Sequence, residues 1–167
     1  MLCRFGIFRI RCSSYAGDKI IAVRTGGFKL GDVIVFAYDY DIQQVGNVED
    51  GELLVKRCIA GPGQKFECIN GTIYIDGEVL PEEYCVKKYE VSRSYDINKI
   101  IKYNTNCDSI DYNNDNIIPE GYYVLLGDNR WVANDSHCFG LVREDQICGR
   151  VALYKGTDGW KRLKKVK

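Results

Sequence analysis

Lys56 is the side chain in this sequence whose surroundings best suit acid–base chemistry. It ends the apolar run Leu53–Val55 on a predicted strand, and Cys58 and Ile59 lie beyond it. A lysine amine can accept a proton only when neutral, and at its ordinary pKa of ~10.4 roughly one molecule in two thousand is neutral at pH 7. Burial lowers that pKa, and a value of ~8 would cost the fold roughly 3 kcal/mol. Lys56 is therefore a candidate general base, although composition alone favours an ordinary surface lysine beside an arginine.

Two longer segments carry a recognisable pattern. Residues 55–63 read Val-Lys-Arg-Cys-Ile-Ala-Gly-Pro-Gly, and residues 127–140 read Gly-Asp-Asn-Arg-Trp-Val-Ala-Asn-Asp-Ser-His-Cys-Phe-Gly after the apolar run Tyr122–Leu126. They resemble the motifs Lys-Arg-x-x-Gly-x-Pro-Gly and Gly-Asp-Asn-Arg-x-x-Ser-x-Asp-Ser-Arg-x-x-Gly of type I signal peptidases. These are serine proteases that use a lysine as general base. The resemblance extends from Phe8 to Tyr154.

The resemblance implies that Ser14 is the nucleophile and Lys56 the general base. The family's segment Pro-Ser-x-Ser-Met-x-Pro-Thr-Leu is about five residues shorter here, so the alignment needs a gap. With the gap, Cys12 replaces a serine that helps to form the oxyanion hole, where a thiol is a weaker donor. Without it, Arg9 falls on the nucleophile position. Ser13 is a further candidate, and either hydroxyl would need a base to remove its proton. The alternative is that both are loop serines without a catalytic role, before the turn at Gly17–Asp18.

The resemblance also implies a substrate class, namely secretory precursors with small residues at the first and third positions before the cut. Ile10, Tyr15 and Val55 fall where the residues of the substrate pocket would lie. An extended peptide can add to a sheet edge, where shallow apolar pockets select Ala or Gly. We expect secretory precursors and a membrane surface as partners, at the extracytoplasmic face of the bacterial cytoplasmic membrane.

Other motif residues resemble the scaffold of that site. Arg57 would point away from Lys56, because side chains alternate along a strand, and would pair with Asp128 or Asp135. Asp128 and Asn129 can bond their own backbone and so hold the turn after the strand. Gly127 permits close backbone approach, and the turn Gly61-Pro62-Gly63 would fix where Lys56 points. The remaining expected supports of the site are Arg130, Ser136 and His137.

Two positions depart from the family motif. Ala133 stands where a serine hydroxyl contacts the lysine amine, and His137 replaces an arginine that pairs with the residue equivalent to Asp135. His137 is the one histidine of the chain, so a Ser-His-Asp arrangement is an alternative. We interpret His137 as the substitute partner of Asp135, because the Ser-His-Asp arrangement leaves the lysine motif unexplained. A surface histidine is the remaining alternative.

The pattern of short apolar runs between turn residues predicts a mainly β fold. Asn70-Gly71 and Asp76-Gly77 are hairpin signals. The predicted strands are residues 19–23, 32–36, 53–55, 66–69, 72–75, 78–80, 122–126 and 147–154. No window has sustained helical periodicity, so we predict one domain, 1–167, of antiparallel sheets in a signal-peptidase-like β fold, packed or as a partly open barrel. We predict an inserted loop or small subdomain at residues from about 85 to 116, because the part beyond Asp96 is polar and has little apolar pattern.

Composition narrows the functional classes further. Lys+Arg and Asp+Glu balance at 23 each, which argues against a nucleic-acid partner. No segment approaches the ~20 apolar residues of a membrane span, and the first eight residues lack the apolar centre of a secretory signal. We therefore expect a family member without its usual anchor. The basic residues after Trp160 suit either an anionic membrane surface or a solvated tail.

The eight cysteines include no Cys-x-x-Cys pair and no zinc-binding set. Several lie in apolar, strand-like runs, so we expect buried free thiols more than disulfides. No metal or other cofactor is expected.

Three rival interpretations would each account for some of these sequence features. The first is a catalytically degenerate homologue that binds peptides or a membrane partner, which the changes at Cys12, Ala133 and His137 favour. The second is a self-cleaving Ser-Lys domain of the phage-repressor kind, against which the lack of a helix-turn-helix region argues. The third is a purely structural β module, for which Lys56 would be dispensable.

Overall fold

Two antiparallel sheets make up the protein in a computed structural model that describes residues 5–12, 15–24, 27–38, 52–85, 92–102, 115–156 and 158–163. Side chains are described from Lys19 onward, Lys102 excepted. The strands are β1 Phe5–Cys12, β2 Tyr15–Val23, β3 Val33–Ala37, β4 Leu53–Ala60, β5 Phe66–Ile69, β6 Thr72–Ile75, β7 Glu78–Val79, β8 Tyr95–Asp96, β9 Tyr122–Leu126, β10 Val142–Arg143, β11 Ile147–Gly156 and β12 Gly159–Arg162. The helices are α1 Ile97–Lys102 and α2 Ser136–Phe139, and a 3-10 turn spans Glu144–Gln146.

The larger sheet has the strand order β1-β2-β11-β3-β4-β9-β10, with β12 paired to β11. All of its pairings are antiparallel. Strand β1, at one end of this order, also lies beside β4, so the sheet curls back on itself. The sheet confirms the expected mainly antiparallel β fold, and it places the predicted lysine strand, β4, between β3 and β9.

The smaller sheet has the order β7-β6-β5-β8 and is built from the predicted hairpins. Asn70 and Gly71 both adopt positive φ, 49° and 80°, and so do Asp76 and Gly77, at 53° and 84°. Two positive φ angles in a two-residue loop are those of a type I′ turn, which matches the twist of the flanking strands. Both turn predictions are confirmed.

Packing between the two sheets forms one continuous core cluster. The large sheet contributes Ile59 and Leu126, and the small sheet contributes Phe66 and Ile73, all of them fully or almost fully buried. The small sheet is therefore attached to β4 and β9 through apolar contact. These are the two strands that lead into the sequence motifs.

The region predicted as an insertion contributes to this core where the structure describes it. Strand β8 pairs with β5, and α1 buries Ile97 and Ile100 in the cluster. The carboxylate of Asp96 accepts a hydrogen bond from the backbone N–H of Lys99 at 2.9 Å and caps the helix. This helix has no signal in the sequence, because six residues are too few for a periodic pattern.

The other elements absent from the prediction are β1, β8, β10, β12 and α2. Four of these five are four residues long or shorter. Runs of this length hold too few alternations to be recognised from a periodic pattern. Among the described residues, no helix has the length and apolar character to cross a membrane.

The core role of α1 can be tested by replacing Ile97, which is fully buried, with alanine. We expect Ile97→Ala to lower the free energy of unfolding by about 3 kcal/mol, because it removes apolar contact and leaves a cavity. The matched control is Ile69→Ala at a position that is 49% exposed, where the same change should cost less than about 1 kcal/mol. Urea unfolding of the three proteins measures both values, and equal costs would mean that α1 does not pack on the core.

Candidate active site

Lys56 lies at the junction of the two sequence motifs. It pairs across the sheet with Ile34 on β3, and the β4–β9 register of Arg57 with Leu126 brings the backbone of Gly127 opposite it. The lysine is half-buried, and its Nζ lies 3.6 Å from the point that a Cβ of residue 127 would occupy. The fold therefore brings a lysine amine from the first motif against the first residue of the second.

Gly127 makes a close approach that requires a glycine. A Cβ at this position would lie only 2.5 Å from the Cβ of Ala133, a distance that Cβ atoms essentially never show. Ala133 is held there by the turn between β9 and α2, in which its backbone N–H donates to the carbonyl of Asn129 at 3.0 Å. The amine of Lys56 therefore faces a surface formed by Gly127 and Ala133.

Arg57 points to the opposite side of β4 and is buried. Its Nε and Nη2 donate to the two carboxylate oxygens of Asp128 at 2.8 and 2.6 Å, and its Nη1 donates to the carbonyl of Gly31 at 2.9 Å. The guanidinium also stacks on the ring of Tyr84, 4.3 Å from its centroid. Burial lowers the pKa of Arg57, but the hydrogen bonds to Asp128 outweigh it, and the net pKa is raised. Of the two expected carboxylates, Asp128 is the partner.

Asp135 is almost fully buried and holds the peptide of Gly127 from the other side. Its Oδ2 accepts from the N–H of Gly127 at 2.9 Å, and its Oδ1 accepts from the N–H of His137 at 3.1 Å. The neighbouring Ser136 accepts from the N–H of Leu125 at 2.9 Å through its buried Oγ. Asp135 and Ser136 thus fasten the start of α2 to the end of β9.

Arg130 supplies a further contact to the backbone of Gly127. Its Nη1 donates to the carbonyl of Gly127 at 2.6 Å, and its Nη2 forms an ion pair with Glu82, which follows the small sheet. Burial lowers the pKa of Arg130, but Glu82 raises it well above the ordinary value. The two polar atoms of the Gly127 backbone are therefore both fixed by charged side chains.

Comparison with known proteins agrees with this arrangement. Residues 11–154 match the family model "Signal peptidase, peptidase S26". The chain belongs to the signal peptidase S26 family.

Relatives and a solved structure give the extent of the match. A signal peptidase IB of Staphylococcus aureus is 33% identical over 141 residues, which are 81% of this chain and 64% of that protein. A probable signal peptidase I-1 of Synechocystis is 33% identical over 143 residues, which are 83% of this chain and 62% of that protein. The chain thus spans less than two thirds of the length of these relatives. A signal peptidase I structure from Enterococcus faecalis superimposes with a TM-score of 0.54 at 25% identity, over 76% of this chain and 98% of the other.

His137, which departs from the signal peptidase motif, lies against Asp135. Its Nδ1 is 2.6 Å from Oδ1 of Asp135, and its Nε2 faces the Sγ of Cys138 at 3.0 Å and Nη1 of Arg93 at 2.6 Å. The ring of Tyr95 packs on the imidazole with centroids 5.9 Å apart. Burial lowers the pKa of His137, but hydrogen bonds to Asp135 and Cys138 outweigh it and raise the pKa to about 9.

The turn after β9 corrects one expectation. Asp128 and Asn129 were expected to bond their own backbone through their side chains. Both oxygens of Asp128 bond Arg57 instead, because the buried guanidinium needs a counterion, and Asn129 holds the turn through its backbone carbonyl. Among the described residues, the buried Oδ1 of Asn129 has no hydrogen-bond partner.

The Gly61-Pro62-Gly63 turn forms as expected. Gly63 has a φ of 79°, and the N–H of Gln64 donates to the carbonyl of Gly61 at 3.2 Å, as in a type II turn. The ring of Tyr123 lies 3.2 Å from the position of a Cβ on Gly61, so this glycine has little room for a side chain. That the turn directs Lys56 stays a prediction.

The predicted nucleophiles Ser13 and Ser14 lie outside the described residues. Their neighbours Cys12 and Tyr15 are paired, at the end of β1 and the start of β2, and Ile10 lies on β1, but these side chains are not described. Val55 is half-buried and packs against the cluster that contains Val35. The pocket roles of these residues stay predictions.

Several residues that contact the motifs had no signal in the sequence. Glu82, Tyr84 and Arg93 all come from the small-sheet side and meet Arg130, Arg57 and His137 only through the tertiary fold. Over the described ranges, no group of three or more His, Cys, Asp or Glu side chains could hold a metal ion. The five cysteines whose side chains are described are free thiols, as expected, but of these five only Cys58 and Cys68 are buried.

The pairing of His137 predicts a pH-dependent stability. A histidine whose pKa is raised from 6.5 in the unfolded chain to about 9 in the fold contributes its full stabilisation below about pH 6.5 and loses it as the pH rises through about 9. Between about pH 6.5 and about pH 9, we expect the free energy of unfolding of the wild type to fall by up to about 3 kcal/mol relative to that of His137→Asn. Asparagine keeps a donor toward Asp135 but does not titrate. Urea unfolding across pH measures the difference, from which the titrations of groups distant from residue 137 cancel, and a pH-independent difference would refute the pairing.

Proposed function

We propose that this chain is the catalytic domain of a signal peptidase I that removes signal peptides from secretory precursors with a Ser-Lys dyad. The observation that carries this proposal is the position of the Lys56 amine against Gly127 and Ala133, at the junction of the two family motifs. The β4–β9 register brings the two motifs together at this amine, and the lysine is half-buried there. Membership of the signal peptidase family supports the same reaction class.

In the proposed reaction, Lys56 acts as a neutral amine. It takes the proton of the Ser14 hydroxyl as the oxygen attacks the scissile carbonyl, and it returns the proton to the leaving amine. The same amine then takes a proton from a water molecule as the water attacks the acyl carbonyl. The ester bond to Ser14 breaks, the acid fragment leaves, and the proton passes to the Ser14 oxygen. Lys56 is half-buried on the face of β4 that also carries Leu54 and Cys58, and apolar neighbours favour the neutral form of an amine.

The surrounding charges support this role by fixing position. Arg130 and Asp135 hold the carbonyl and the N–H of Gly127, and the ion pair of Arg57 with Asp128 holds the next residue to β4. A proton-transfer pair works only within hydrogen-bond reach, so a rigid wall beside the amine favours catalysis. These groups are positioning residues in the proposal, and none of them takes part in the chemistry.

The substrate would be an extended precursor segment with small residues at the first and third positions before the cut, presented at a membrane. Trp131 and Val132, which immediately precede Ala133, are 49% and 61% exposed. An exposed tryptophan and valine beside the proposed site suit the apolar–polar boundary of a bilayer. As the resemblance to signal peptidases implies, we propose the extracytoplasmic face of the bacterial cytoplasmic membrane as the location of the domain.

The dyad is tested by cleavage of a precursor with an Ala-x-Ala site in detergent or lipid. We expect Lys56→Met and Ser14→Ala to lower kcat/KM by at least about a hundredfold. The first removes the group that transfers the proton, and the second removes the oxygen that forms the bond to the substrate. Lys65→Met, at an exposed lysine, is the matched control and should stay within about twofold of the wild type.

The outcomes separate the alternatives. Loss of cleavage in Ser13→Ala with retention in Ser14→Ala would make Ser13 the nucleophile and reject Ser14. Cleavage that survives Lys56→Met would reject the dyad. A folded wild type that binds the precursor without cutting it would replace the proposal by the degenerate, peptide-binding homologue.

Ala133 offers a gain-of-function test. Its Cβ lies at the wall that faces the Lys56 amine, so Ala133→Ser adds a hydroxyl where the family motif has one. We expect kcat to rise about two- to tenfold, because the hydroxyl gives the amine a hydrogen-bond partner that fixes its direction. The same change at the exposed Ala152 is the control and should leave kcat unchanged. A kcat for Ala133→Ser that stays as unchanged as that of the control would show that the amine does not face residue 133.

A further inference from the structure

The side chains of Asp135, His137 and Cys138 form a hydrogen-bonded series that the proposed peptidase reaction does not use. Oδ1 of Asp135 lies 2.6 Å from Nδ1 of His137, and Nε2 of His137 lies 3.0 Å from Sγ of Cys138. A carboxylate at Nδ1 holds the proton on that nitrogen in the neutral imidazole and leaves the lone pair of Nε2 directed at its other neighbour. The imidazole is therefore oriented as a base toward the thiol.

Arg93 adds a positive charge at the same point. Its Nη1 lies 2.6 Å from Nε2 of His137, so the guanidinium and the sulfur of Cys138 both adjoin this nitrogen. Nε2 has one lone pair, and it cannot accept from the thiol and from Arg93 at once. Transfer of the thiol proton to Nε2 removes that lone pair, so Arg93 has to release Nε2. The imidazolium then donates to the thiolate, and the guanidinium can shift its hydrogen bond to the same anion.

The other described cysteines have different surroundings. The sulfur of Cys85, which is half-buried like Cys138, lies 3.6 Å from the carboxylate of Glu82, and burial raises its pKa to about 12. Cys148 is also half-buried and faces the carbonyl of Gln146 at 3.9 Å, and burial raises its pKa. Cys58 and Cys68 are buried, and burial raises the pKa of both. Among the five cysteines whose side chains are described, Cys138 is the one whose sulfur adjoins an imidazole.

We propose that Cys138 is a reactive thiol that exchanges with small anionic disulfides, with His137 as its base and Asp135 as the group that orients His137. In the exchange, the Cys138 proton passes to Nε2, and the thiolate attacks one sulfur of the disulfide. The disulfide bond breaks as the mixed disulfide forms, and the departing thiolate takes the proton from the imidazolium. One disulfide is consumed and one is formed, so no further oxidant is needed. The charge of the exposed Arg93 selects a reagent that carries carboxylates.

Glutathione disulfide and cystamine, an anionic and a cationic disulfide, provide the test on the full, reduced chain. The rate of mixed-disulfide formation at each cysteine is followed by peptide mass mapping. With glutathione disulfide we expect Cys138 to react at least about tenfold faster than Cys85 and Cys148. His137→Asn keeps a donor toward Asp135 but lacks Nε2. We expect it to lower the reaction rate of Cys138 to that of Cys85 and Cys148. Arg93→Gln should lower the preference of Cys138 for glutathione disulfide over cystamine at least about threefold.

The wild type alone supplies a second measurement that does not depend on the folding of a variant. A thiolate held by an imidazolium keeps reacting as the pH falls from about 8 to about 6, whereas the rate of an ordinary thiol drops about tenfold per pH unit. The proposal is overturned if Cys138 reacts no faster than Cys85, or if its rate falls with pH as steeply as theirs. It is also overturned if His137→Asn, shown to be folded, leaves the Cys138 rate unchanged. None of these measurements requires peptidase activity, so failure here is distinct from failure of the proposed function.

Discussion

The ion pair between Arg57 and Asp128 is the contact on which the geometry of the candidate site depends. Alternation along β4 places Lys56 and Arg57 on opposite faces, so the lysine cannot be directed without placing its neighbour inside the protein. A buried guanidinium is tolerated only with a counterion and filled hydrogen bonds, and Asp128, Gly31 and the ring of Tyr84 supply them. Because Asp128 follows Gly127 directly, the partner of the inward arginine also fixes the backbone that faces the outward lysine.

The two departures from the family motif lie on either side of this backbone. Ala133 touches it by packing, since its Cβ excludes any side chain at Gly127. His137 acts through Asp135, which accepts the N–H of the same glycine. The chain has thus changed the polar groups around Gly127 and has kept the position of the glycine itself. A replacement arginine at 137 could pair with Asp135, but it would offer no base to Cys138, so the histidine brings a property that the family motif lacks.

The parts of the fold that the sequence predicted are those with a local physical cause. Asn70-Gly71 and Asp76-Gly77 form turns because these residue types tolerate positive φ, and the run Tyr122–Leu126 is a strand because it is buried on both faces. The opposite directions of Lys56 and Arg57 follow from the period of a strand.

The parts that it did not predict depend on contacts between distant segments. Glu82 meets Arg130 and Arg93 meets His137 only after the small sheet has packed on β4 and β9. The helix α1 was missed because its two core residues, Ile97 and Ile100, make one repeat of a pattern that needs several to be recognised. Only the three-dimensional structure distinguishes Asp128 from Asp135 as the partner of Arg57, since both carboxylates are in the same motif.

The contacts of Glu82 and Arg93 have a consequence for local opening of the protein. They attach the segment from Gly127 to Cys138 to the small sheet, in addition to its own attachment to β9. A loop held on one side can fray without disturbing the rest of a fold, whereas this one is held by both sheets. We therefore expect its amide protons to exchange more slowly than those of a loop attached to β9 alone, and the wall beside Lys56 to open correspondingly rarely.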